Sequence, residues 1–228
     1  KAICPSSISS PLLFLHLCAM DLNLLLSFLL ASVLLTIMPG PDNIFVLTES
    51  LTKGRRNGIA TAVGLSLGVL VHTFAAATGL SFVIQQSAIA FSVIKYIGAA
   101  YLFYLAIKGI KEKPPHIALN ATGETDQPKL SLLIRNGFFM NVLNPKVALF
   151  FIAFLPQFVS NYWLPVTVQM MVLGVVFMLQ AMIIFTVIGM LSSKLTRYVN
   201  SPKFWRITKW SKISVLSLLG VTLAVSKK

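Results

Sequence analysis

The chain has 228 residues, a mean hydropathy of +0.83 and 56% hydrophobic residues, yet only 11% charged ones. A soluble domain carries about 25% charged residues, so a soluble enzyme or adaptor is excluded and an integral membrane protein forming one bundle is implied. The formal charge of +13 does not indicate a nucleic-acid partner, because the basic residues cluster in hydrophilic connections between apolar stretches.

Residues 1–19 read as an extension outside the bundle, and Met20 as a credible start of the transmembrane domain 20–228. The extension holds Lys1, a short apolar run and small residues, which is a poor signal peptide. It also holds Cys4 and Cys18, the two cysteines of the chain. With no CxxC and no cysteine in an apolar stretch, thiol relay and iron–sulfur chemistry are excluded.

Six spans can be drawn at the ~20-residue length that a bilayer requires. They cover about 22–50, 58–84, 88–110, 132–157, 164–190 and 207–225. The first contains Met38-Pro-Gly-Pro-Asp-Asn43, with Pro39, Gly40 and Pro41 interrupting an apolar run. The prolines remove backbone donors that lipid cannot replace. An acid at mid-bilayer costs roughly 2.5–3.5 kcal/mol on insertion scales. Such a break is tolerated where it packs on protein or lines a polar cavity, so it marks a binding site or pathway.

The connections alternate in charge. Lys53, Arg55 and Arg56 follow span one. Lys108, Lys111, Lys113, Lys129 and Arg135 flank the long connection after span three, which also holds Pro114, Pro115, Gly123 and Pro128. Lys194, Arg197, Lys203 and Arg206 lie between spans five and six, with Lys209 and Lys212 beside them. The connections at 85–87 and 158–163 carry no basic residue. Basic loops face the cytoplasm, so both termini are expected outside.

The fourth span has a second break, Asn141-Val-Leu-Asn-Pro-Lys146. Aligning Pro145 with Pro41 places Lys146 opposite Asp42 and divides the chain into two three-span halves of opposite orientation. Paired interrupted helices in an inverted repeat point to a transporter's site. The bland alternative is two membrane helices that each contain a proline. Asp42 lies roughly 13 Å, and Lys146 roughly 17 Å, from the basic end of its span at 1.5 Å per residue, so both are near mid-bilayer.

These motifs resemble the LysE/RhtB family of amino-acid exporters. Besides Met38–Asn43, the matching pieces are Lys53-Gly-Arg-Arg-Asn-Gly58, Gly64-Leu-Ser-Leu-Gly68 with His72, Tyr96-Ile-Gly-Ala-Ala-Tyr-Leu102, Asn144-Pro-Lys146 and Phe154-Leu-Pro-Gln-Phe158. They run in the family's order across about 20–225. The resemblance implies an all-α protein of the bacterial inner membrane that expels amino acids such as threonine, homoserine, leucine or lysine, driven by the membrane potential or a proton gradient. Residues 1–19 have no counterpart in the family pattern, and the start of the sixth span is unusually rich in lysine.

Asp42 and Asn43 follow Pro41, which suits the first position of a helix. Asp42 either complements the helix dipole or holds a substrate ammonium or coupling proton. By the same logic Asn144 is an N-cap, Pro145 the first helical residue, and Lys146 a cation at the positive helix end. It needs a partner, Asp42 or a substrate carboxylate, unless it snorkels to water. His72 shares a face with Gly64, Gly68, Ala75, Ala76 and Gly79, so it should point inward, to bond a neighbouring helix or shuttle protons. Gln180 is an interhelical hydrogen bond or a substrate contact. Glu49 is solvated or paired with Lys53, and Lys95 is expected at the outer interface. Tyr96, Tyr101 and Tyr104 line a pathway or anchor at the interface.

Three function classes follow. The leading one is export of a small zwitterionic amino acid, with lipid as the surroundings and no cofactor, metal or nucleic acid. Efflux of a metal or toxic organic cation is weaker, since the spans offer few ligands beyond Asp42 and His72. A membrane enzyme lacks its catalytic motifs, and a passive structural subunit has no need of midplane charges. Gly64 and Gly68 suit close packing within one chain or between two copies in a homodimer.

Overall fold

The structure, a computed structural model, describes residues 22–82, 87–111, 128–159, 164–199 and 201–226, and every described element is helical. The extension 1–19 with both cysteines, Gly123 with its proline-rich surroundings, and most of the two uncharged connections lie outside the described residues.

Helix α1 (Leu22–Ile37) stops before Pro39, and α2 (Pro41–Lys53) restarts with Pro41 at its first position. The two halves meet at 56°. Gly40 between them has φ −157°, extended backbone that any residue adopts. The prolines, not the glycine, therefore make the break. Gly54 differs: its φ of 93° is left-handed and favours glycine. It alone joins α2 to α3 (Arg55–Ala75). Lys53, Arg55 and Arg56 thus sit on helix ends, where the sequence suggested a loop.

α3 runs on through a π turn, Ala76–Leu80. α4 is Ala88–Lys111 and α5 is Leu130–Val142. After the second break, α6 (Pro145–Leu149) leaves α5 at 49°. It passes into a π turn at Phe150–Phe154 and a 3-10 turn at Leu155–Phe158. Pro156 lacks a donor and crowds the carbonyl four residues back, and the change of helical pitch accommodates it.

α7 spans Val166–Val199 and α8 spans Pro202–Val225. Both exceed the expected limits. Residues 191–199 contain no proline or glycine, so Lys194 and Arg197 continue the helix, which ends just before Pro202. Pro202 then starts α8 earlier than its apolar run suggests.

Arg55–Leu80, Ile89–Lys111 and Val166–Met190 are each long and apolar enough to cross a bilayer. The two bent pairs raise the count to five if each is one broken span. α8 is not among them, because Lys203, Arg206, Lys209 and Lys212 crowd its first half.

α3 is central and packs on α2, α5 and α7. Its crossing with α5 is close. A Cβ at Gly64 would overlap the Ile134 carbonyl, and one at Gly137 would sit 2.6 Å from the Thr61 carbonyl oxygen. Small residues allow this contact, as the glycine spacing implied, and here they serve packing within the chain. α8 lies against α4, where Gly220 faces Phe103. Phe28, Phe150, Phe151, Phe154, Phe158 and Phe177 form an aromatic core between α1, the irregular turns after α6, and α7. Leu30, Phe74, Ile89 and Ile183 are exposed outside it, a surface that suits lipid.

Candidate functional site

A broken helix frees carbonyls that water cannot reach, and each needs a partner. The end of α1 shows where these go. Leu34 O accepts from the Met38 amide at 3.0 Å. Leu35 O accepts from Lys146 Nζ at 3.1 Å. Thr36 O and Ile37 O accept from Asn43 Nδ2 at 3.1 and 3.0 Å. Met38 O accepts from both Asn43 and Lys146, each at 3.4 Å. A cation is favourable at a helix C-terminus, so Lys146 has found the negative end of a different half-helix.

This corrects one expectation. Lys146 and Asp42 feel each other's charge, but they are not direct partners. Asn144 stands between them. Its side-chain oxygen accepts from the Lys146 amide at 3.0 Å, capping α6, and its Nδ2 donates to Asp42 Oδ2 at 2.6 Å. The expected N-cap at Asn144 and first-turn prolines at 41 and 145 are present. α6 is thereby capped, whereas α2 starts at Gly40 without a side-chain cap.

The network extends into α3. Asn144 N donates to Asn141 O at 2.9 Å, and His72 Nε2 lies 3.1 Å from the same oxygen. His72 is buried, faces inward as expected, and ties α3 to the end of α5. On the other side, Gln180 of α7 donates to Thr36 Oγ1 at 2.9 Å. The two breaks, α3 and α7 therefore meet in one buried polar hub. Of the three break residues Gly40 is buried against the hub, with Lys146 Nζ 3.4 Å from where its Cβ would be, while Pro39 is half-buried and Pro41 exposed.

The hub has spare acceptors. Asp42 is 1% exposed, yet among the described residues its Oδ1 has no hydrogen-bond partner; nor do the side-chain oxygens of Asn43, Asn141 and Gln180. Buried acceptors are normally bonded, so a surplus of oxygens around a carboxyl group can receive a guest rich in N–H donors.

Two hub residues, Thr36 and Asn141, are not marked as site members by the sequence. Asn141 is visible there as part of the second break, but its role depends on where His72 arrives. Four other candidates lie elsewhere. Glu49 pairs with Lys53 at 3.1 Å. Lys95 is not at an open interface: it is 5% exposed and donates to Ser226 O at 2.7 Å, holding the end of α8. Tyr96 and Tyr104 point off the bundle. Among the described residues, no three His, Cys, Asp or Glu side chains gather in a metal-ligating group.

A family model described as "LysE type translocator" matches residues 33–227. An uncharacterized membrane protein of Vibrio cholerae is 30% identical over 213 residues, 91% of this chain and 100% of its own. A homoserine/homoserine lactone efflux protein of Salmonella typhimurium is 29% identical, covering 88% of this chain and 96% of its own. Its Salmonella typhi namesake is 30% identical over the same shares. No solved structure matches the chain.

Proposed function

The chain belongs to the LysE type translocator family, and we propose that it is a secondary exporter of a small amino acid or close derivative. The observation that carries this reading is the buried Asp42 at the first break, with one oxygen unpartnered among other unpartnered acceptors. The substrate ammonium takes Asp42 Oδ1. The substrate carboxylate takes the uncapped N-terminus of α2, a natural anion site. That of α6 is already filled by Asn144. Lys146 reaches the carboxylate only by leaving the end of α1, which makes it a candidate for coupling binding to movement.

Two relatives named for homoserine and homoserine lactone efflux support an amino-acid substrate. The chain shows no ATP-binding motif, so an ion gradient or the membrane potential drives export. The protein sits in the bacterial inner membrane with its basic loops inside. α8 is the sixth span, its lysines snorkelling, and the two broken spans head inverted halves that rock about the hub.

Cells loaded with dipeptides and producing the protein should release one or a few amino acids faster than cells without it. Equal release of every amino acid by both would overturn the reading, and loss of a metal or organic cation in place of an amino acid would favour cation efflux.

A further inference from the structure

The first half of α8 carries Lys203, Arg206, Lys209 and Lys212, and the helix contains no Asp or Glu. The four cations divide by direction. Lys209 and Lys212 are half-buried, and Lys212 runs along the end of α4, its Cε 3.9 Å from where a Gly109 Cβ would be. Lys203 and Arg206 face out. Trp210, Ser214, Leu218 and Val221 follow them at steps of three or four residues and are exposed too, so all six share one outward stripe.

An open groove of about 530 Å³ runs along this stripe, lined among the described residues by Arg206, Ile207, Trp210, Ser211, Ser214 and Val215. Trp210 is 57% exposed, a large aromatic surface left outside the bundle. Among the described residues Arg206 makes no hydrogen bond or ion pair, and the hydroxyls of Ser211 and Ser214 make no hydrogen bond. Thr222, on the same helix, closes its hydroxyl onto Leu218 O at 2.8 Å. Ser211 and Ser214 keep their donors for something outside the protein.

Along the stripe the groups run in the order cation, aromatic, hydroxyl, aliphatic, which is that of a phospholipid from phosphate through glycerol to chains. Ser211 lies roughly 7.5 Å beyond Arg206 at 1.5 Å per residue. One headgroup layer is about 5–8 Å deep. Tryptophan settles at that level, and basic residues beside a membrane helix attract anionic lipid.

We infer that this face of α8 is a binding site for an anionic glycerophospholipid. Lys203 and Arg206 take the phosphate, and Trp210 lies against the glycerol. Ser211 and Ser214 donate to the ester oxygens, and the chains follow Leu218 and Val221. The inference rests on α8 lying in the membrane as the sixth span and is independent of the exported solute.

The test uses the full chain with Trp163 and Trp205 changed to phenylalanine, so that Trp210 is the one tryptophan left. It is reconstituted in mixed bilayers of phosphatidylglycerol and zwitterionic phosphatidylcholine, with one or the other brominated in its chains; quenching gives their relative affinity beside Trp210. Phosphatidylglycerol should be favoured about 25-fold, two basic residues each contributing about fivefold. Arg206→Gln should cut this about fivefold, and Arg206→Lys should retain most of it. Arg56→Gln, which removes the same charge from the exposed start of α3, should change nothing. Native mass spectrometry of the unaltered chain with equal amounts of both lipids should give the same order, and decides if the tryptophan changes prevent folding. Equal affinity for the two lipids, or equal losses from Arg206→Gln and Arg56→Gln, would overturn the site while leaving α8 in the membrane. Quenching by neither lipid would overturn the placement of α8 as a span along with it.

Discussion

Asn144 performs two tasks that mutation can separate. Its oxygen caps α6, and its nitrogen holds Asp42. Loss of an N-cap costs about 1 kcal/mol. Loss of a hydrogen bond to a charged group costs about 1.5–3 kcal/mol. Asp42 Oδ1 already has no partner, so Asn144→Ala leaves the carboxyl group with none. The sum is a destabilisation of about 2.5–4 kcal/mol. Asn144→Asp keeps the cap, since aspartate caps as well as asparagine, but it removes the donor and sets two carboxyl groups together. Two such groups cannot both ionise cheaply, so this variant should be least stable at neutral pH and recover as the pH falls and they share a proton. Asn144→Ala should recover only in part, as Asp42 takes a proton, and keep the cap's cost of about 1 kcal/mol at low pH. Unfolding of the purified protein by a graded denaturing detergent, repeated across pH, measures both. If Asn144→Asp matches the parent at neutral pH, the Asp42–Asn144 bond does not hold the hub together, and the two breaks are joined by something else.

Three further outcomes follow from the packing. Lys146→Met should cost about 1–3 kcal/mol by orphaning Leu35 O. Because Asp42 and Lys146 share the hub but have different direct partners, combining it with Asp42→Asn should give partial rescue, whereas a direct pair would give strong rescue; abundance and detergent unfolding of the double variant read this. Gly64→Ala should lower stability by about 1–3 kcal/mol, since its Cβ overlaps the Ile134 carbonyl; Gly79→Ala, with open space, should be nearly neutral in the same unfolding assay. Lys95→Met should free the end of α8 and cost about 1.5–3 kcal/mol, seen as faster proteolysis near Ser226.

What is legible in the sequence is local. Pro41 and Pro145 announce helix starts because a missing N–H and a fixed φ act on their own residue. Glu49 and Lys53 are one helical turn apart, so their pairing follows from spacing. Gly64 and Gly68 mark a close crossing because only small residues permit one. Partners across the bundle are not legible in the same way. Opposite charge suggests that Lys146 meets Asp42. The freed carbonyls of α1 outcompete that pairing, and backbone oxygens carry no sequence signature. The inward face of His72 follows from its neighbours in the helix, but its bond to Asn141 O depends on the α3–α5 crossing. Helix ends drift for a related reason: Lys194 and Arg197 look like loop residues by charge, yet nothing there breaks a helix before Pro202.

Export as proposed depends on Asp42 at the first break receiving the ammonium of an amino acid. Counterflow in proteoliposomes holding the parent or Asp42→Asn, reconstituted to equal amounts, is the decisive measurement. Asparagine keeps the size and still accepts from Asn144, so the hub should survive while uptake of every amino acid falls to the level of empty vesicles. Undiminished counterflow by folded Asp42→Asn would contradict that role and leave Asp42 as a complement to the α2 dipole.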